Sequence, residues 1–244
     1  MDWKIIDTGV DRAEVIMQKD QNLLESLAQE KSPILHFYEW EGPSATYGYF
    51  LDPTQFFSMD ALVKTDLQIA RRPTGGGIIF HLWDFAFSAL IPASHPAFSQ
   101  NTLQNYATIN LRVLAAVEEF LKVRGCELTD QDGQILGAFC TNFCMAKPTR
   151  YDVMLGGKKV AGAAQRKTKD GLLHQGSLSL VMPSKELLQE VLLQKLNVIE
   201  AMSTFTFPLL GEKALPSEVP IKRKEIQKLL IKHFTRDNVS TTPP

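Results

Sequence analysis

Residues 70–91 read Ala70-Arg71-Arg72-Pro73-Thr74-Gly75-Gly76-Gly77-Ile78-Ile79-Phe80-His81-Leu82-Trp83-Asp84-Phe85-Ala86-Phe87-Ser88-Ala89-Leu90-Ile91. Two runs of strand formers, Gly76 to Phe80 and Phe85 to Ile91, predict a hairpin whose first arm starts from three glycines. Strand follows strand here with no helix between them. Upstream, a helical pattern over Ala13 to Gln29 precedes strands at Ile34 to Trp40 and Thr46 to Phe50, and a short helix is expected at Asp60 to Lys64. Downstream, Thr102 to Val123 predicts the longest helix, with Leu103, Tyr106, Ala107, Leu111, Leu114, Val117, Phe120 and Leu121 on one face and Gly125 as its stop. Strands follow at Tyr151 to Leu155, Lys159 to Arg166 and Leu173 to Val181, the first two joined by the turn pair Gly156-Gly157. Helices at Ser184 to Leu196 and Lys222 to Phe234 close the chain, and Asn238 to Pro244 reads as a frayed tail. Clusters of strands and clusters of helices predict an α+β fold with a mixed, largely antiparallel sheet flanked by helices.

The 244 residues suffice for one large domain with a sizeable core. Their 26 basic and 27 acidic side chains leave a net charge of -1, so no global field favours nucleic acid or an anionic membrane. No run of about 18 apolar residues predicts a membrane span, and the first residues show no signal-peptide pattern. Cys126, Cys140 and Cys144 have no metal-ligand spacing and are odd in number, so no protein metal cage is expected and a reducing, cytoplasmic setting is.

Four segments carry candidate chemistry. Three consecutive glycines beside Arg71 and Arg72 let the backbone approach a ligand closely and put guanidinium forks near it; a Gly-rich hairpin with solvated arginines reads equally well. In Gly156-Gly157-Lys158-Lys159-Val160-Ala161-Gly162-Ala163-Ala164-Gln165-Arg166, Lys159 opens a strand of small residues, which either lies against a ligand or carries a solvent-facing lysine. In Leu172-Leu173-His174-Gln175-Gly176-Ser177-Leu178, His174 is a site residue or a core histidine. Cys144, in a loop before Tyr151, is a nucleophile if nearby cations activate it, whereas Cys126 and Cys140 read as small buried hydrophobes.

Taken in order, Arg-Arg-x-Thr-Gly-Gly-Gly…His, Lys-Val-Ala-Gly-x-Ala-Gln-Arg and Leu-His-x-Gly-Ser-Leu resemble the catalytic domain shared by lipoate–protein ligases, octanoyltransferases and biotin–protein ligases, with the lipoyl branch the better fit. The resemblance runs from Trp3, Asp7-Thr8-Gly9 and Met17-x-x-Asp20 to about Met182. It implies a class II synthetase-like catalytic domain over 1–182, with 183–237 as a helical extension of the same domain. By position it implies that Arg72, Thr74, Gly75, Gly76, Gly77 and His81 line the acyl pocket and that Lys159 stabilises charge at the reacting carbonyl. Ala161, Gly162 and Ala163 would shape an apolar tunnel, and Arg166, His174, Gly176 and Ser177 would complete its wall. Arg150 and Asp152 are further candidates.

Two chemistries are implied, and the ligase ranks first because the triple glycine, Arg150, Asp152 and Lys159 are retained together. A ligase would activate lipoate or octanoate with ATP and Mg²⁺ and pass the acyl group to a lysine of a lipoyl carrier domain, in a 2-oxoacid dehydrogenase complex or an H-type glycine cleavage protein. An octanoyltransferase would take octanoyl from acyl carrier protein onto Cys144 and transfer it without ATP. Cys144-x-x-x-Pro148-Thr149-x-Tyr151-Asp152 resembles the cysteine-type octanoyltransferases well. The segment Tyr47-Gly48-Tyr49-Phe50-Leu51-Asp52-Pro53 lacks the Gln and Asn that ligases carry, and Leu82 and Trp83 depart from the ligase pattern too. A family member that binds without catalysing is the third expectation.

Overall fold

The computed structural model describes residues 2–193, 196–211 and 214–236. The expected tail at 238–244 lies outside the described residues, as do positions 194–195 of the expected helix after Ser184.

Seven strands form the main sheet, in the order β1 (Lys4–Asp11), β2 (Ile34–Trp40), β6 (Asp84–Pro92), β10 (Gly171–Ser179), β9 (Lys158–Lys167), β8 (Val153–Leu155) and β7 (Cys126–Leu128). Only β1 and β2 pair in parallel within it, as the mixed, largely antiparallel expectation requires. A second sheet of three strands places β3 (Ser44–Tyr47) between β4 (Gln68–Arg71) and β5 (Ile78–His81). The hairpin expected around His81 is therefore corrected. Strand β5 pairs with β3, whereas β6 pairs with β2 and β10. All nine residues of β6 are buried, so it needs a strand on each edge and cover on each face, which β5 cannot also supply. Gly156 and Gly157, both at positive φ, make the expected turn between β8 and β9.

Helix α1 (Ala13–Ser26) buries Ala13, Ile16, Met17, Asp20 and Leu24, one face at helical spacing that includes a carboxylate. Helix α2 (Met59–Thr65) is capped by Ser58, whose Oγ accepts from the Ala61 amide at 3.4 Å. Helix α3 (Thr102–Leu121) ends at Lys122, which takes the left-handed conformation three residues before the expected Gly125 stop. Its buried residues are Asn105, Ala107, Ile109, Asn110, Arg112, Val113, Ala116 and Val117; of the expected face Ala107 and Val117 are among them, while Leu114, Phe120 and Leu121 pack against the core partly buried. Asn110 Nδ2 donates to the Tyr151 carbonyl at 2.7 Å, so the loop before β8 is tied to this helix.

After β10 come α4 (Lys185–Val191), α5 (Leu196–Phe205) and α6 (Val219–Thr235). Helix α6 covers α3, and Phe234 meets Trp3 edge-on at 4.9 Å and Phe87 at 6.2 Å. Leu188, Val191, Val198, Ala201 and Met202 of α4 and α5 enter one apolar core with Phe57, Ile78, Phe80 and Phe143. That core lies directly under the segment carrying Cys144. Among the described residues no helix is long and apolar enough to cross a membrane.

Candidate active site

Arg72, 4% exposed, is the pin of the glycine loop. Nη1 donates to the Thr46 carbonyl and Oγ1, both at 2.9 Å. Nη2 donates to the carbonyls of Gly75 at 3.1 Å and Gly77 at 2.7 Å, and Nε to Thr74 Oγ1 at 3.4 Å. A guanidinium has five N–H donors, and all five are engaged by the protein. Arg72 lines the cavity as expected, but it is not a free fork for a ligand carboxylate. Burial pulls its pKa down, and attraction from Cys144 opposes that.

Thr74 is buried behind the loop and donates to Gln175 Oε1 at 2.7 Å. Gln175 Nε2 in turn donates to Asp20 Oδ2 at 2.6 Å, and Asp20 Oδ1 lies 2.8 Å from Nδ1 of the buried His36. This explains the polar position on the inner face of α1. The loop is anchored to the sheet by a chain of satisfied polar groups.

The three glycines have three different tasks. Gly75 supplies a carbonyl to Arg72. Gly76 has φ +89°; a Cβ there would sit 3.4 Å from Arg72 Nη2, 3.6 Å from Ala164 Cβ and 4.0 Å from Cys144 Sγ. Gly77 lets another backbone approach, since a Cβ would stand 2.6 Å from the carbonyl carbon of Asn142. That approach docks the cysteine segment: the Cys144 amide donates to the Ile78 carbonyl at 2.9 Å. Gly48, not singled out from the sequence, completes the contact. A Cβ on it would fall 2.8 Å from the Gly76 carbonyl carbon, while the Tyr49 amide donates to the Thr74 carbonyl at 3.0 Å. A glycine inside a strand pattern was the available signal.

Lys159 is 2% exposed and Asp152 3%, so the lysine is not solvent-facing. Its Nζ lies 2.7 Å from Asp152 Oδ2 and donates to the main-chain carbonyl of Cys144 at 2.7 Å. Burial pushes the Asp152 carboxyl up, and the Lys159 ammonium opposes that shift. The lysine arches over Gly162, where a Cβ would come within 2.5 Å of Nζ. Gly162 therefore leaves room for the ammonium.

These elements enclose a cavity of about 420 Å³, mouth included, lined by Arg72, His81, Cys144, Gly162, Ala163, Ala164, Gly176 and Ser177 with Met17, Tyr38, Trp40, Ile79 and Met145 among the rest. His81 stacks on Trp40 at 4.1 Å, with Nε2 2.8 Å from Thr46 Oγ1 and Nδ1 2.7 Å from Asp84 Oδ2. Ser177 donates to the same carboxylate oxygen at 2.7 Å. Burial raises the Asp84 carboxyl, but His81, Arg223 and Ser177 outweigh it and hold the group below its ordinary range.

Not every expected residue lines this cavity. Ala161 packs in the main core. Arg150 lies on the surface with its guanidinium 5.2 Å from the Tyr151 ring. Arg166 lines the neighbouring cleft instead. His174 is a core histidine after all, though held by a side chain: Nδ1 lies 2.8 Å from Gln165 Nε2, and the ring packs between Tyr106 and Phe87. Burial drops its pKa to about 3. The unfolded chain binds this proton near pH 6.5 and the folded one does not. Stability from this group is thus complete above about pH 6.5 and is lost as pH falls toward about 3, at ~1.4 kcal/mol per pH unit. In urea unfolding between pH 7 and 4.5, His174→Gln should lose less stability than the parent by that slope; parallel curves would contradict it. Cys140 is buried as expected, whereas Cys126 is half-buried; burial pushes the Cys126 thiol up to about 11 and raises that of Cys140.

The lipoyl protein ligase A/B catalytic domain family matches residues 12–207, and the chain belongs to that family. It is 30% identical over 185 residues to the octanoyltransferase LipM of Anoxybacillus flavithermus, covering 73% of this chain and 65% of that protein. It is 26% identical over 206 residues to the octanoyltransferase LipM of Bacillus subtilis, covering 82% of this chain and 73% of that one. The chain thus spans slightly less than two thirds of the first of these relatives. Its fold is that of a lipoate-protein ligase A solved with ATP, at a TM-score of 0.70 and 22% identity over 96% of this chain and 85% of that one. A bipartite lipoate protein ligase from Thermoplasma acidophilum aligns at a TM-score of 0.69 and 20% identity, over 96% of this chain and 83% of that one.

Proposed function

We propose that the protein is an ATP-independent octanoyltransferase that works through a thioester on Cys144. The observation that carries this reading is the placement of Cys144: a half-buried thiol in the cavity wall, with the buried Arg72 guanidinium beside it and Lys159 gripping its own carbonyl. The relatives named octanoyltransferase favour the same route over the ATP-dependent ligation that the sequence resemblance ranked first.

Two balanced steps follow. Cys144 Sγ attacks the thioester carbonyl of octanoyl-acyl carrier protein; the new C–S bond replaces the old one, and the thiol proton leaves with the carrier's sulfur. The amine of a lipoyl-domain lysine then attacks the Cys144 thioester, forms an amide, gives up a proton and regenerates the thiol. A thioester is already an activated acyl group, so neither step needs ATP or Mg²⁺. Arg72 and Lys159 are the cations beside the reacting carbonyl, where negative charge builds in both steps. The apolar chain lies along Gly162, Ala163 and Ala164. The acceptors are lipoyl carrier domains of 2-oxoacid dehydrogenase complexes or the H-type protein of glycine cleavage.

Intact-mass spectrometry of a lipoyl domain separates the chemistries. One tube holds enzyme with octanoyl-acyl carrier protein and no nucleotide; the other holds ATP, Mg²⁺ and lipoate or octanoate. Octanoylation in the first tube is expected. Modification in the second alone would make the protein a ligase, and none in either would leave a binding protein.

A further inference from the structure

Beside the Cys144 cavity lies an open polar cleft of about 1120 Å³, mouth included, between α1 and the end of β4. Arg72 and Met17 line both spaces, so the cleft and the cavity lie side by side. Two further arginines stand in its wall on one aromatic ring: Arg71 lies 5.1 Å and Arg166 5.4 Å from the centroid of Tyr49. Among the described residues neither forms an ion pair. Among the described residues the Arg166 guanidinium donates only to Gln21 Oε1 and the Pro73 carbonyl, both at 3.3 Å, and the Arg71 guanidinium makes no hydrogen bond. The one carboxylate in the lining is the exposed Glu14.

Stacking uses the flat face of a guanidinium and leaves its in-plane N–H edge for an anion. Two such groups against one ring, without a counter-ion among the described residues, make this part of the cleft electropositive, and an anion there is attracted by both. Their fork geometry suits the oxygens of a phosphate. We propose that Arg71 and Arg166, held by Tyr49, form a phosphate subsite for the acyl donor, and that its ligand is the phosphate of a carrier's phosphopantetheine arm. The proposal rests on the transferase reading, in which the thioester end of that arm must reach Cys144 while its phosphate end stays outside. The cleft is placed for the outer end. Phe50, 89% exposed, packs its ring edge-on to Tyr49 at 5.2 Å and offers an apolar contact for the carrier.

Two small donors differing only in the phosphate test this: octanoyl-phosphopantetheine and octanoyl-pantetheine. The parent enzyme should show a KM about tenfold lower for the phosphorylated donor, and Arg71→Gln/Arg166→Gln should abolish that preference. No preference in the parent, or one that survives in the double variant, overturns the subsite. Calorimetric titration with acyl-free phosphopantetheine, and with pantetheine as control, reads the subsite without turnover. Binding there that requires both arginines keeps the phosphate site even if neither thioester is used, a result that would sink the transferase reading instead. Tight binding of ATP in place of phosphopantetheine, lost in the double variant, would assign the phosphate to a nucleotide and overturn the donor named here.

Discussion

Cys144→Ser is expected to lower octanoyl transfer from acyl carrier protein to a lipoyl domain by at least about 10³-fold while leaving the fold intact. The size follows from the route: every acyl group passes through Sγ, and an unactivated serine hydroxyl is a far poorer nucleophile. The fold should survive because the segment is held by its backbone. The Cys144 amide binds Ile78, its carbonyl binds Lys159, and the close approach at Gly77 involves Asn142, none of which needs the sulfur. Transfer assays and thermal unfolding check both halves. Substantial activity in the variant would remove Cys144 from the chemistry, as an ATP-dependent mechanism requires.

The second large effect concerns Lys159 and Asp152. Lys159→Met leaves the Asp152 carboxylate buried without its partner, and losing one half of a buried pair costs about 3–5 kcal/mol. The single variant should therefore be both inactive and markedly unstable. Lys159→Met/Asp152→Asn removes both charges. It should recover most of the stability, since Asn can still accept from the Thr149 amide that now meets Asp152 Oδ2 at 2.6 Å. Transfer should stay about 10²–10³-fold down, the usual consequence of losing one charge-stabilising donor. Urea unfolding and transfer rates on both variants separate the roles. A double variant that regains activity along with stability would make Lys159 purely structural.

What the sequence reveals follows from where the determining contacts lie. Strand β2 is legible at both ends, because a short run of strand formers is closed by Gly42-Pro43. The β8–β9 turn is legible because Gly156 and Gly157 both take positive φ. Strands β1, β4 and β7 are edge strands without a strong apolar run, and their pairing is decided by distant partners. The division of β5 and β6 between two sheets is likewise invisible locally, since either run alone is a sound hairpin arm.

The site shows the same split. The motif residues Arg72, Gly76, Cys144 and Lys159 do converge, but the task of Arg72 is not the one the resemblance implied. A buried arginine whose five donors meet its own loop and Thr46 of strand β3 reads, in sequence, like an arginine waiting for a ligand. Gly48 matters only because Gly76 folds onto it, and Asp20 only because Gln175 reaches it. His174 falls in the core because β10 is buried along its whole length between β6 and β9.

The central claim is a covalent octanoyl group on Cys144. The direct measurement is the intact mass of the enzyme after incubation with octanoyl-acyl carrier protein alone, followed by peptide mapping. One octanoyl group on the peptide containing Cys144, discharged when a lipoyl domain is added and absent in Cys144→Ser, is the predicted result. An unmodified enzyme that nonetheless octanoylates the lipoyl domain, or an adduct on any other residue, would contradict it.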